Sequence, residues 1–373
     1  MGKDHAILCA RFVALSLFVI ACSACANTQL DTDFHKMRIG KSAINMEALP
    51  IALNPAAPEE EKVGKLVYRG GLYLKSRDKR FGGLSGLIVS ADGKGLLAVS
   101  DAGYWFRAQL TYKNGRLTGL RKADLAPMLD LSGAPLSGKT EPDAEAMTSA
   151  GVQGLDGDVY VSFERDNRVW LYPYGRQGFN AVPSEVPAHL DIPAHIVSGG
   201  VKGLVNFDTN ALLAISEDVR DRMGDLMGWL IPVPPMVGRG GYGVVFLKAI
   251  RDYRVTDLTL MPINGERGDL LVLERSFSLE RGAGMQLRRV KHAAVGPLQA
   301  FTGDVLAELD VRYSIDNMEA VATRKGANGD TLIYVLSDDN YNGLQRTVLL
   351  MFALEDSASV AAQAGAGPDQ RAQ

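Results

Sequence analysis

Apolar residues along this chain fall into short runs broken by glycine-containing turns, and the runs recur as a unit. Each unit holds a short apolar strand, a tight turn, a second apolar strand ending in an acid, and a third strand. The first copy reads Leu84-Ser85-Gly86-Leu87-Ile88-Val89, Asp92-Gly93, then Leu96-Leu97-Ala98-Val99-Ser100-Asp101. The second reads Asp143-Ala144-Glu145-Ala146-Met147, Asp156-Gly157, then Val159-Tyr160-Val161-Ser162-Phe163-Glu164. The third has Val201-Lys202-Gly203-Leu204-Val205, the weaker turn Thr209-Asn210, and Leu212-Leu213-Ala214-Ile215-Ser216-Glu217. The fourth has Thr256-Asp257-Leu258-Thr259-Leu260, Asn264-Gly265 and Leu270-Leu271-Val272-Leu273-Glu274. The fifth has Asp316-Asn317-Met318-Glu319-Ala320-Val321, Asn328-Gly329 and Leu332-Ile333-Tyr334-Val335-Leu336-Ser337-Asp338. Asp-Gly and Asn-Gly between apolar runs signal hairpins, because both residues tolerate the positive φ of a primed turn.

The terminal acids stand at 101, 164, 217, 274 and 338, so the unit repeats every 53 to 64 residues. That period suits one four-stranded blade per unit, padded by loops. Third strands follow at 105–110, 169–172, 228–231, 285–288 and 347–352. The last copy has no fourth strand before the C-terminal tail, whereas the segment Lys65 to Lys75 is a strand without a unit of its own. The pattern therefore predicts an all-β fold, a β-propeller of five or six four-stranded blades whose ring is closed by the N-terminal strand. A pair of β-sandwiches is the alternative, and near-constant hairpin spacing argues against it.

Composition adds limits. The chain has 373 residues, 40 glycines and 16 prolines, too many of both for a helical bundle, and a net charge of -3 that speaks against nucleic acid as a partner. No apolar run reaches the roughly 18 residues of a spanning helix. Lys3 and Arg11 precede an apolar stretch, Phe12 to Ala21, and small residues end it at Ala24-Cys25-Ala26, as in a secretory signal. Val19-Ile20-Ala21-Cys22 reads equally as a lipobox, which would leave a lipid on Cys22 as the one membrane attachment. Either reading exports the protein, to the periplasm or to a lipid anchor on the cell envelope. All three cysteines lie in this segment, so a chain cut after Ala26 has no disulfide or thiolate chemistry, and its net charge becomes -4. The expected divisions are a signal over 1–26, a linker or arm over 27–62, one propeller domain over 63–355, and a disordered tail over 356–373.

In a blade, the start of the innermost strand and the end of the next lie on one face near the axis. Both places are acidic here. Glu145, Glu164, Glu217, Glu274 and Glu319 are the expected catalytic carboxylates, and Asp101, Asp143, Asp257, Asp316 and Asp338 the expected oxygen ligands of a Ca²⁺ cofactor. Glu141, Asp218 and Asp339 lie beside them. Arg165, Lys202, Arg275 and Arg346 share the rim and would hold an anionic substrate group. Acids plus cations at one face suit a metal-assisted site for an anionic ester. A single acid at a strand end is more ordinarily a structural partner of a loop N–H or a neighbouring Arg. Repetition around one axis is what favours a shared site. Other chemistries fit less well. Ser85 lacks the second glycine of a nucleophile elbow. His189 and His195 read as surface residues without zinc-site spacing.

With these residues in view, the sequence resembles the bacterial exported phytase-like family, described as having esterase-like activity of phytase. The resembling segments are Asp143-Ala144-Glu145-Ala146-Met147, Glu164-Arg165-Asp166-Asn167-Arg168-Val169, Gly200-Val201-Lys202-Gly203-Leu204, Leu273-Glu274-Arg275-Ser276, Asp316-Asn317-Met318-Glu319-Ala320 and Ser337-Asp338-Asp339-Asn340-Tyr341. The resemblance implies a propeller akin to calcium-dependent phytases and hydrolysis of an ester or phosphoester bond. Phytate itself would call for many Lys and Arg, and this rim is net acidic, which leaves a smaller phosphoester or another ester. A propeller that binds a small ligand or an envelope partner at the same face, without catalysis, is the competing expectation.

Overall fold

The computed structural model describes residues 40–137, 142–151, 154–165, 167–187, 190, 200–233, 243–262 and 267–355. The signal-like segment, His35, Glu141, His189, His195, Asn264-Gly265 and the tail from Asp356 lie outside the described residues.

The N-terminal part supplies β1 (Ser42–Ile44), β2 (Met46–Ile51), β3 (Lys62–Val63) and β4 (Leu66–Ser76). Five units follow. The first is β5 (Leu84–Val89), β6 (Gly95–Ser100), β7 (Tyr104–Lys113) and β8 (Arg116–Pro127). The second is β9 (Ala144–Ser149), β10 (Val159–Phe163), β11 (Arg168–Tyr172) and β12 (Ser184–Val186). The third is β13 (Val201–Asp208), β14 (Ala211–Arg220), β15 (Leu226–Pro232) and β16 (Gly243–Leu247). The fourth is β17 (Arg254–Pro262), β18 (Arg267–Ser278) and β19 (Gly282–Val290), then β20 (Ala300–Phe301) and β21 (Asp304–Leu309). The last is β22 (Asn317–Lys325), β23 (Thr331–Asp338) and β24 (Thr347–Leu354).

Successive strands of each unit pair antiparallel, while the short β20, though it follows β19 in the chain, joins the third blade parallel to β16; the sheets make a five-bladed propeller. The inner strands β5, β9, β13, β17 and β22 pack in sequence, and β22 returns to β5. The fifth blade takes its fourth strand from the N-terminal side: β4 pairs with β24, Val348 opposite Tyr73 and Phe352 opposite Tyr68, and β2 lies outside it. Residues 42–51 are therefore strands on blade edges, β1 on the first blade and β2 on the fifth. That covering matters because an open β24 edge would present unpaired N–H and C=O groups.

The turns differ from the sequence expectation. The links β5–β6 and β22–β23 are five-residue loops with only the glycine at positive φ, Gly93 at 75° and Gly329 at 86°. Each closes with an N–H of that glycine on the carbonyl three residues back, Ser90 or Gly326. Asp156-Gly157 is not a primed turn either: Gly154–Asp156 is a 3₁₀ turn inside a longer β9–β10 connection.

The core lies between blades. Between the first and second, Ile88, Leu97, Val99 and Trp105 pack on Met147, Val161, Phe163 and Tyr172. Trp105 is fully buried, its ring 5.1 Å from Tyr172 and 5.2 Å from Tyr174. Its indole nitrogen has no hydrogen-bond partner, so only packing holds it. Trp105→Ala is expected to cost about 3–5 kcal/mol in urea unfolding, as cavity-making aromatic losses do. Trp105→Phe should cost much less, since no hydrogen bond is lost.

Candidate functional site

A single backbone device builds the site. In all five inner strands the pairing with the second strand skips one residue near the strand start. The skipped residues are Gly86, Glu145, Lys202, Thr256 and Glu319. A bulge of this kind re-aims one side chain and locally increases twist. Here it gathers Glu145, Lys202 and Glu319 from three blades into one electrostatic cluster. On the second strands the matching positions, opposite the residue two before each bulge, are Ser100, Glu164, Glu217, Arg275 and Asp338.

Two cations organise the carboxylates. Lys202 Nζ lies 2.5 Å from Glu145 Oε2 and 3.9 Å from Glu164 Oε2. Asp143 completes this side, held by Arg165 Nε at 2.6 Å. Arg275 Nη2 lies 3.4 Å from Glu217 Oε1 and 3.3 Å from Glu319 Oε1, while its Nη1 donates to Asn317 Oδ1. Asn317 Nδ2 in turn donates to Glu319 Oε1 at 3.0 Å. Arg254 adds a longer contact to Glu217, at 3.8 Å. Burial opposes the charge on Lys202, yet Glu145, Glu319 and Glu164 together raise its pKa and keep it an ammonium.

A third group lies towards the first and fifth blades. Asp101 Oδ1 is buried without a hydrogen-bond partner. Burial and the nearby Asp143 push its pKa up to about 7. Burial, then Asp101, raises Asp338 well above the carboxylate range. Asp339 Oδ1 accepts from the Gly83 and Tyr341 amides. Gly83 is required here: a Cβ on it would stand 1.9 Å from Asp101 Oδ1. Three non-glycine residues at positive φ cluster at these strand ends, Arg165, Asn340 and Tyr341. Such strain persists where surrounding structure over-determines it, often at functional sites.

Four expected site residues stand apart from this group. Glu274 is the clearest correction. It is fully buried and bonds Arg288 Nη2 at 2.5 Å and Gln286 Nε2 at 2.7 Å, beside the β16 end, where Arg288 also donates to the Lys248 carbonyl. The reason is register. In the fourth blade the position equivalent to Glu164 and Glu217 is Arg275, and a one-residue step along a strand reverses the side. Asp257, next to the bulge, turns its carboxylate onto the Leu258 and Val321 amides and ties the fourth blade to the fifth. Asp316 receives Arg346 Nε at 3.2 Å, a pair that fastens the start of β22. Arg346 also caps the Ile315 carbonyl. Asp339, placed beside the site acids from sequence, does join them, and Asn317, Arg254 and Tyr341 join without having been singled out as site residues. Asn317 had a signal, since it sits within the segment Asp316-Asn317-Met318-Glu319.

The oxygens of Asp143, Glu145 and Glu164 lie within 4.8 Å of one another. That spacing matches a cation with ligand bonds of about 2.4 Å, and an all-carboxylate set suits a hard ion such as Ca²⁺. Lys202 already occupies one side of it, so a cation would compete with the ammonium for Glu145.

Lys202→Met should therefore destabilise the chain by roughly 3 kcal/mol at pH 7, the scale of breaking a buried ion pair. The loss should shrink below pH 5, where the orphaned carboxylates take up protons; urea titrations at both pH values measure it. Asp101 has the opposite signature. An unfolded Asp titrates near 3.9 and this one at about 7, so between those values the folded chain holds a proton that the unfolded chain has lost. Its contribution is complete below about 3.9 and disappears as pH rises to 7. Asp101→Asn should flatten the fall in stability across that window.

The family model "Phytase-like: Esterase-like activity of phytase" matches residues 79–341, which hold β5 to β23 but neither β4 nor β24 of the fifth blade. No curated protein matches the chain. Among solved structures, one described as an oxidoreductase (glucose dehydrogenase) of Thermus thermophilus aligns at 15% identity and TM-score 0.36, over 72% of this chain and 97% of that one. The tail fibre of Staphylococcus aureus phage P68 aligns at 10% identity and TM-score 0.39, over 83% of this chain and 57% of that one. The family match spans the strands that carry Glu145, Lys202, Arg275, Glu319 and Asp338, and the chain belongs to the phytase-like family with esterase-like activity of phytase.

Proposed function

We propose that the chain is a hydrolase of small anionic esters or phosphoesters, assisted by a divalent cation at the acidic mouth. The observation that carries this reading is the triad Asp143, Glu145 and Glu164, with oxygens within 4.8 Å of one another beside Lys202. Family membership supports the ester chemistry. Asp143, Glu145 and Glu164 would hold Ca²⁺, which when bound supplies Lewis acidity towards a phosphoryl or acyl oxygen. Arg275, fixed by Glu217, Glu319 and Asn317, directs positive charge to the substrate anion. The half-buried Asp101 carboxylate takes a proton from the attacking water as the new P–O or C–O bond forms. It returns that proton to the leaving oxygen as the old bond breaks. A pKa of about 7 suits both directions near neutrality.

Export accompanies this reading: residues 1–26 would be removed as a signal, or cut to leave a lipid on Cys22, and the substrate would be met outside the cytoplasm. The mass of the mature N-terminus distinguishes the two.

Hydrolysis of p-nitrophenyl phosphate and of mono-p-nitrophenyl succinate, an anionic carboxylic ester, should vanish with chelator and return with added Ca²⁺. Glu164→Gln should lower the rate at least about a hundredfold, with the fold retained. Turnover indifferent to chelator would overturn the cation-assisted mechanism. Ca²⁺ that raises the melting temperature with no turnover on either ester would instead identify a binding propeller.

A further inference from the structure

The channel has a second mouth. The inner strands carry the carboxylates at their starts, and their far ends enclose a separate cavity of about 380 Å³. Glu319 and Arg324 lie on the same strand, five residues and so about 17 Å apart. The volume falls in the range of small-molecule pockets. Its wall is mainly apolar, with Leu87, Met147, Val205, Leu258 and Val321 among the lining residues. Polar groups at the wall are neutral or positive, and no Asp or Glu is among its described lining residues.

Two cations line the cavity, the exposed Lys325 and the half-buried Arg324. Arg324 is the one held in place. Its Nε donates to the Tyr334 hydroxyl at 2.9 Å and its Nη1 to the Lys325 carbonyl at 3.1 Å, both neutral acceptors. Its guanidinium also sits over the Tyr112 and Tyr334 rings, which fixes it in place. A half-buried guanidinium with neutral acceptors, beside a cavity lacking carboxylates, is electrostatically uncompensated and favours an anion. We propose that this cavity is a second binding site, taking a small amphipathic organic anion. The apolar body would lie against Met147, Leu258 and Val321, with the acidic group directed to Arg324. The site is independent of the hydrolytic reading, because none of its described lining residues belongs to the acidic mouth.

The probe is 8-anilinonaphthalene-1-sulfonate, with N-phenyl-1-naphthylamine as the same ring system lacking the anion. The full chain should bind the sulfonate saturably, and the neutral amine about tenfold more weakly, as one charge-assisted hydrogen bond implies. Arg324→Gln should reduce that difference severalfold, with Lys325 left as the remaining cation, and Arg324→Lys should restore part of it. Gly151→Phe should abolish both signals by filling the cavity. Gly151 lines it, its φ is not positive, and an added Cβ meets nothing within 4 Å. Melting temperatures of the variants establish that each is folded. Absence of saturable binding would overturn the proposal, as would sulfonate binding that survives Gly151→Phe or ignores Arg324→Gln.

Discussion

A carboxylate removed from water must find a cation, a hydrogen-bond donor or a proton. The mouth of this propeller is built around that requirement. Glu145, Glu217, Glu319 and Asp338 are all buried, and no strand could hold them in place by packing alone. Lys202 and Arg275 make the arrangement stable by standing among acids from several blades. Asp257 finds amides, and Glu274 finds its own arginine within the blade. Asp101 has neither at Oδ1, and its proton becomes the compensation.

Much of this was legible in the chain. Repeated hairpins fixed the blade count at five or six, and the strand over 65–75 was recognisable as a missing fourth strand because the last unit lacked one. The acids near the axis were readable because strand starts and ends recur at fixed places. Glu274 shows where the reading failed. The repeat was aligned on its last acid, whereas the backbone aligns it on the bulge. Matching Leu270-Leu271-Val272-Leu273-Glu274-Arg275 to Leu212-Leu213-Ala214-Ile215-Ser216-Glu217 places Arg275, not Glu274, opposite the other ring residues. The bulges themselves leave little trace in composition, since the skipped residue is Gly, Glu, Lys, Thr or Glu. Tyr341 stood in a family-resembling segment without a role of its own, because it enters through a strained loop that no periodicity describes.

The two ends of the channel have contrasting chemistry on a common scaffold. Every inner strand is bulged near its start and runs on into a mainly apolar stretch, where Met147, Leu258 and Val321 line the cavity. A twisted strand of this length can thus serve two solvents.

The joining of β4 to β24 has a consequence for the order of assembly. The fifth blade needs residues 66–76 together with residues 347–354, the longest sequence separation of any strand pair here. Contacts of such separation are slow to form, since the closing loop costs entropy before it is rewarded. During synthesis the first blades can form while this sheet waits for the end of the chain. Glu319, Asp338 and Arg275's partner Asn317 belong to that waiting sheet, whereas Asp143, Glu145, Glu164 and Lys202 come from the second and third blades. The Arg275 side of the polar centre is therefore the part that closure of the ring completes.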